Sequence, residues 1–384
     1  MENSFKDFGP FEGRVWLNCA HQGPLPKVAV EELMEAVAWK VAPHHLANSE
    51  KFKAVPQRLR TALGNVVGVS GEEIILGNST SYGLHLLANG LPFTEGDEVL
   101  LVKGDFPSCI LPWLALEKRG VIVRYVEPRN HVLQADELLE NLTPQTKLLC
   151  TTWVHSFSGY AIDINAIGTI CQAHGVKFIV NCTQALGARQ LDLSATAIDA
   201  VVGGGHKWLC GPYATGFCWM RPELLDSLEY NQAYWLAMQS ADDLGSKLED
   251  VSVRTDLKAR AYDVFGTANF FNFKTWAASI EYLLSKGIDQ IAAYDNSLIS
   301  RFIDGIDLER YELISPPDGP SRSTLIFISH RRSDSNQKIY QELKHARVDV
   351  AFRKGNLRLA PHLYNTTDDI DQVLSLLNTL SNVR

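Results

Sequence analysis

Short runs of aliphatic and β-branched residues alternate with stretches whose apolar positions recur at helical spacing through most of the chain. The runs are Glu73–Leu76, Val99–Val102, Val121–Val126, Leu148–Thr151, Phe178–Val180, Ala200–Val202 and Gly216–Met220. Between them, Tyr82–Asn89, Leu111–Lys118, Ile164–His174 and Pro222–Leu228 read as helices. A strand followed by a crossover helix is the unit of a parallel sheet covered on its faces. The alternation predicts one large α/β domain over residues 16–265, with a mainly parallel seven-stranded sheet.

Downstream the order changes. Helical periods at Phe271–Ser285 and Gln290–Ile303 precede strands at Leu325–Ser329 and Val348–Ala351, and a last helix at Asp368–Leu380 has Thr366 and Thr367 available as caps. This predicts a smaller C-terminal α+β domain over residues 266–384, with residues 1–15 packing near it. The Pro316-Pro317-Asp318-Gly319-Pro320 cluster reads as a loop inside that domain.

Composition narrows the class without naming it. The 384 residues carry a net charge of −8, 46% are hydrophobic and 21% charged, an ordinary globular balance without the basic footprint that nucleic acid requires. No apolar run approaches the roughly 18 residues of a membrane span, and Met1 to Arg14 lacks the apolar core of a secretory signal. Seven cysteines, at 19, 109, 150, 171, 182, 210 and 218, form no Cys-x-x-Cys pair. An odd, unpaired set predicts free thiols in a reducing compartment, no metal site and a cytoplasmic protein.

In a parallel α/β sheet ligands bind beyond the carboxyl ends of the strands, so the residues after each strand carry the candidate chemistry. Ser79 and Thr80 stand where a strand hands over to a helix, able to hold an anion or simply to cap. Phe106 follows the second strand as a plate for a flat heterocycle or a cover for the core. His155, Ser156 and Ser158 follow the fourth strand, and Asn181 and Gln184 the fifth. After the sixth, Gly203-Gly204-Gly205-His206-Lys207 places a lysine between glycine-rich turns and a Trp-Leu pair. Desolvation there lowers a lysine pKa and frees a nucleophilic amine. An anion cup, an aromatic plate, ring-edge polar groups and a reactive lysine are together the parts that hold pyridoxal phosphate. Neither dinucleotide nor P-loop glycine patterns occur.

On these residues the chain resembles the class V aminotransferase family, fold type I pyridoxal-phosphate enzymes that include cysteine desulfurases, kynureninase and isopenicillin epimerase-like proteins. The likeness runs from Leu17-Asn18-Cys19-Ala20-His21-Gln22-Gly23-Pro24-Leu25-Pro26 to Leu357-Arg358-Leu359-Ala360-Pro361-His362-Leu363-Tyr364-Asn365-Thr366. It implies a Schiff-base lysine at Lys207, with His206 assisting the phosphate or the proton traffic. Ser79 and Thr80 would form the phosphate cup, Phe106 would stack on the ring, and Gln184 would lie near its phenolic oxygen with His155 or Ser156 on the neighbouring loop. Gly266-Thr267 would reach the phosphate of a second subunit, which implies a homodimer with shared sites. Arg358 would take the substrate carboxylate, which its fork fits bidentately. His21, Trp153 and Tyr234 are candidates for the pocket wall.

Two departures from the family pattern matter. Asn181 stands where the family has the Asp that keeps the ring nitrogen protonated, so the preference for the pyridinium form is weakened. No cysteine follows Cys218, and Val348 to Asn356 (VDVAFRKGN) contains none, so the persulfide route of ordinary cysteine desulfurases is set aside. The leading expectation is an aminotransferase-type enzyme acting on the α-carbon of a small amino acid. A lyase eliminating at a carbon-sulfur bond, or an epimerase, is the alternative; a non-catalytic binding protein would not need His206, Lys207 and Arg358 together.

Overall fold

The structure, a computed structural model, describes residues 4–47, 50–229, 233–235, 253–266 and 269–380. The chain enters through β1 (Val15–Trp16) and two helices, Lys27–Val41 and Glu50–Val67. There follow β2 (Ile74–Gly77), β3 (Glu98–Val102), β4 (Ile122–Val126), β5 (Thr146–Thr152), β6 (Lys177–Asn181), β7 (Ala200–Gly204) and β8 (Gly216–Met220). They build a seven-stranded sheet in the order β2-β8-β7-β6-β5-β3-β4. All seven expected strands are present. Only β8 runs against its neighbours, because residues 205–215 return the chain directly beside β7 without a crossover helix.

Period-2 alternation sends successive residues into two cores. Leu100, Val102, Phe178, Val180 and Val201 face one side, with the helices Glu50–Val67 and Ile164–Ala173. Val99, Leu101, Ile179, Ala200 and Val202 face the other, with Leu84 and Leu87 of the helix Thr80–Gly90. Burial on both faces explains why these strands read as unbroken apolar runs.

The helices Lys27–Val41 and Glu50–Val67 have no counterpart in the sequence reading. The first leaves Val28, Val30, Met34 and Val41 exposed, so apolar residues stand on both of its sides and no polar face marks it, and the second contains Pro56. Both pack against the helix Phe270–Lys286, where Lys274 pairs with Glu32 and with Glu35. That long helix puts Phe273, Trp276 and Ile280 into the same core as the large sheet. Arg60, buried in Glu50–Val67, pairs with buried Asp263.

A second, antiparallel sheet uses β9 (Tyr311–Leu313), β10 (Ile326–His330), β12 (Ala351–Arg353) and β13 (Asn356–Leu359) in the order β12-β13-β10-β9. The expected strand Val348–Ala351 divides: β11 (Val348–Asp349) leaves this sheet to pair in parallel with β1. The helices Ile288–Gly305, Asn336–His345 and Thr367–Leu380 contribute to the core beneath it. Thr366 caps the last of these, its Oγ1 accepting from the Asp369 amide at 3.2 Å while Asp369 accepts from the Thr366 amide at 2.9 Å. The expected helix Leu111–Lys118 is one α-turn, Leu111–Leu114, continued as a 3₁₀ turn.

Candidate active site

Because β2, β3, β5, β6 and β7 point the same way, the loops after them gather at one edge. Lys207, half-buried after β7, holds its Nζ 5.5 Å from the centre of the Phe106 ring. Burial draws the Lys207 ammonium down to about 7, and Arg358 and Arg353 push the same way. Its neighbour His206 meets the Tyr213 ring at 5.1 Å and is pulled down to about 4 by burial, then by Lys207 and His21. At neutral pH His206 is therefore an uncharged imidazole.

The glycine triplet divides its work. A methyl at Gly203 would press on Phe217, and one at Gly205 would overlap Thr215 and Trp276. Gly204 alone faces the candidate site, where a methyl would sit 3.1 Å from Thr80 Oγ1 and 3.4 Å from the His206 ring. It leaves a cradle beside polar groups. Thr80 Oγ1 lies 2.7 Å from Thr183 Oγ1, and Ser79 Oγ caps the helix Thr80–Gly90 by accepting from the Tyr82 amide at 3.2 Å. Hydroxyls at the positive end of an 11-residue helix suit a phosphate.

Phe106 is held by a carboxylate. Buried Asp105 accepts from the Phe106 amide at 2.6 Å, from Thr151 Oγ1 at 3.0 Å, and from the amide and hydroxyl of Thr152 at 2.9 and 2.8 Å. The ring stacks at 6.2 Å on Phe157. His155 is fixed by its neighbours, donating from Nε2 to the Gly104 carbonyl at 3.2 Å and receiving the Ser158 hydroxyl at Nδ1 at 2.7 Å. Ser156 is buried beside it.

Asn181, at the end of β6, donates through Nδ2 to Cys109 Sγ at 3.2 Å and accepts at Oδ1 from the Thr183 amide at 3.0 Å. Gln184 is engaged at both ends, giving Nε2 to the Ala20 carbonyl at 3.1 Å and taking the Trp208 indole N–H at 2.9 Å. Arg358 reaches in from β13. It is buried, donates to Asn18 Oδ1 at 3.3 Å, and leaves its Nε with no partner. A buried guanidinium N–H without an acceptor is costly in the free protein and suits a ligand carboxylate. Burial and then Arg353 lower Arg358 to about 10. His21, open on one side, is held below its ordinary value by partial burial, with Arg353, Arg358 and Lys207 adding.

Thr267 lies outside the described residues; the amide of Gly266 donates to Tyr234 Oη at 3.0 Å. Trp153 is buried under Arg189, which lies 5.4 Å above its ring beside a separate cavity of about 480 Å³. The sequence reading misses Thr183, Asp105, Asn18 and Arg353. Only Asp105, between a strand end and Phe106-Pro107, left a local signal. Among the described residues no cluster could hold a metal ion, and no helix is long and apolar enough to cross a membrane. All seven cysteines are free and buried.

The arrangement fits a flat phosphorylated aldehyde and an amino-acid carboxylate: a cradle at Gly204, an aromatic plate, an amine near neutrality and an unsatisfied guanidinium. Comparison with known proteins agrees. The chain is 26% identical over 316 residues to a probable cysteine desulfurase of Methanothermobacter thermautotrophicus, covering 80% of this chain and 77% of that one. It is 25% identical over 312 residues to the uncharacterized aminotransferase YcbU of Bacillus subtilis, covering 81% and 80%. Its fold matches the cystine C-S lyase C-DES, solved with its product cysteine persulfide, at a TM-score of 0.87 and 20% identity over 98% of this chain and 99% of that one. An apo cysteine desulfurase of Thermococcus onnurineus superposes at a TM-score of 0.85 and 19% identity, covering 99% and 98%. The family model described as aminotransferase class-V matches residues 20–373, and the chain belongs to that family of pyridoxal-phosphate-dependent enzymes.

Proposed function

We propose that this enzyme is a lyase that eliminates a thiol from a small sulfur-containing amino acid, with Lys207 carrying the cofactor. The observation that carries the reading is the burial of every cysteine. No thiol of the chain can accept sulfur at the site, and the β12–β13 hairpin that brings Arg358 there presents Arg353 and Lys354 in place of a nucleophile. Sulfur must therefore leave on the product. The neutral amide of Asn181 points the same way, because it supports the ring as an electron sink less strongly than a carboxylate would.

In this reading Ser79, Thr80 and the helix start would hold the phosphate, with Thr183 bracing Thr80. Phe106 would cover one ring face, and the Asn181 amide would serve the ring nitrogen. Ser156, Gln184 and His206 line the remaining edge. Pyridoxal phosphate held there would supply an electron sink for the substrate α-carbon. Lys207 Nζ, close to neutrality, takes the α-proton, and Arg358 fixes the carboxylate so that this proton faces it. The Cβ–S bond breaks with its electron pair on sulfur, which leaves as a thiol. The balance is an S-substituted cysteine plus water giving a thiol, pyruvate and ammonium.

Thr267 is assigned to a partner subunit's phosphate, as the family resemblance implies, and the chain to a homodimer with shared sites. The exposed rings of Tyr213 and Phe265 support this, since apolar faces beside a site are natural subunit contacts. The free, buried thiols support a reducing, cytoplasmic setting.

Incubating the holoenzyme with L-amino acids and no keto-acid acceptor tests the reaction. Catalytic release of pyruvate, ammonia and thiol supports elimination. Stoichiometric conversion of the cofactor to pyridoxamine phosphate overturns it in favour of transamination, the second reading, which the similarity to YcbU favours. Racemisation without either product overturns it in favour of epimerase chemistry.

A further inference from the structure

The β12–β13 hairpin turns through Lys354 and Gly355, both at positive φ, 48° and 81°. Two central residues of this kind give the turn whose twist matches paired strands, so the hairpin is a stiff arm. Its register sets Ala351 opposite Arg358 and Arg353 opposite Asn356. Directly opposed residues and alternate residues along a strand share a face. Arg353, Ala351, Arg358 and Asn356 therefore leave on one side, and Phe352 and Leu357 on the other. There Phe352 meets the Tyr340 ring at 5.8 Å, and Leu357 enters the core under the small sheet. The packed side fixes the direction of the polar side.

The hairpin thus carries both arginines on its one polar face, diagonal to each other, with Ala351 and Asn356 at the other two corners. Lys354 extends the same charge, its Nζ 4.5 Å above the Phe157 ring that stacks on Phe106. Among the described residues no carboxylate pairs with Arg353, Arg358, Lys354 or Lys207. Among the described residues the side chain of Arg353 donates only to the adjacent Phe352 carbonyl, at 2.9 Å. Asp105, the buried acid nearby, is already saturated by its four donors. A substrate's α-carboxylate satisfies one arginine fork and leaves the other.

We propose that Arg353 is a second anion site, so that the substrate is an amino acid whose side chain ends in a carboxylate, held at its two ends by Arg358 and Arg353. The assignment rests on the reading of Lys207 and Arg358 given above. Arg353 also lowers the proton affinity of Lys207, Arg358 and His21, as a charge facing all three does.

Paired probes that differ only in distal charge test it in the holoenzyme. S-carboxymethyl-cysteine is compared with S-carbamoylmethyl-cysteine, and aspartate with asparagine, and binding is read from the cofactor's visible absorbance whether or not product forms. The expected result is at least about tenfold tighter binding of the acid in one pair, the first pair placing the anion beyond sulfur and the second directly on the side chain. Arg353→Gln brings that ratio close to one, and Arg353→Lys retains most of it. Arg358→Gln weakens acid and amide alike. Equal binding of both pairs by the wild type, or a preference unchanged in Arg353→Gln, overturns the proposal. Charge preference without pyruvate release sinks the lyase reading alone.

Discussion

Gly23 lies against the backbone of Lys207. Its amide donates to the His206 carbonyl at 2.9 Å, and a methyl at Gly23 would overlap the carbonyl oxygen of Lys207. The loop after β1 thus clamps the backbone of Lys207, and the clamp exists only while residue 23 has no side chain.

Gly23→Ala is expected to shift the segment carrying Lys207 and to lower turnover by about 100-fold, the order of loss for a misplacement of roughly 1 Å. Circular dichroism should stay native. Wild-type turnover in Gly23→Ala would show that the contact does not position Lys207.

Lys207 should take up the cofactor with an unusual pH profile. An amine near 7 is protonated below that value and neutral above it, so the rate at which cofactor-free protein is reconstituted should rise through about pH 7 and then level. An ordinary lysine would still be gaining at pH 10. Borohydride should fix the cofactor to the peptide containing Lys207, and Lys207→Ala should abolish this labelling.

His362 and Asp295 form a wholly buried pair, Nδ1 to Oδ2 at 2.7 Å, and His362 Nε2 donates to the Trp208 carbonyl at 3.2 Å. This ties the small-sheet side of the chain to the residue after Lys207. Burial opposes the charge on His362, yet Asp295, followed by Cys19 and the Trp208 carbonyl, raises it to about 9. The folded value exceeds the ordinary 6.5, so this stabilisation is complete below about pH 6.5 and is lost as pH climbs towards 9. His362→Gln should cost about 3–5 kcal/mol in urea unfolding at pH 6, because it strands a buried carboxylate, and should remove the slope between pH 6.5 and 9. An unchanged slope would rule the pair out as its source.

Asn181→Asp should raise cofactor conversion to pyridoxamine phosphate with amino acids, by about tenfold for each 1.4 kcal/mol of added ring stabilisation. The new carboxylate keeps the Thr183 amide as donor and loses only the weak bond to Cys109 Sγ. Single-turnover absorbance measurements check it; a slower conversion would mean that the amide is not what limits the ring.

Legibility differed from residue to residue. The strands β2, β3 and β5 to β8 were readable because they are buried on both faces and so appear as apolar runs bounded by turn residues, whereas β4, largely exposed at the sheet edge, was readable from its β-branched residues alone. Lys207 was readable from its glycines, although two of those glycines serve packing against Phe217 and Trp276 and only Gly204 opens a cradle. The helix Lys27–Val41 was hidden because apolar residues stand on its exposed side as well as its buried one, and Glu50–Val67 because Pro56 argues against a helix although Val55, Leu59, Leu63 and Val66 recur there at helical spacing. Arg353 was invisible since nothing local distinguishes it from any surface arginine; its meaning comes from the register that sets Ala351 against Arg358.

By itself the sequence determined the α/β order of elements, the lysine after β7, the amide at the end of β6 and the lack of a cysteine near Arg358, because these depend on residue type and spacing along one stretch of chain. Only the tertiary structure decided that Gly23 clamps Lys207, that Gln184 is tied to Ala20 and Trp208, and that Arg353 and Arg358 share a face. Those relationships join residues distant in sequence. Close approach of backbones, the partner of a buried amide and the face of a strand are set by how separate elements pack, and no local pattern encodes them.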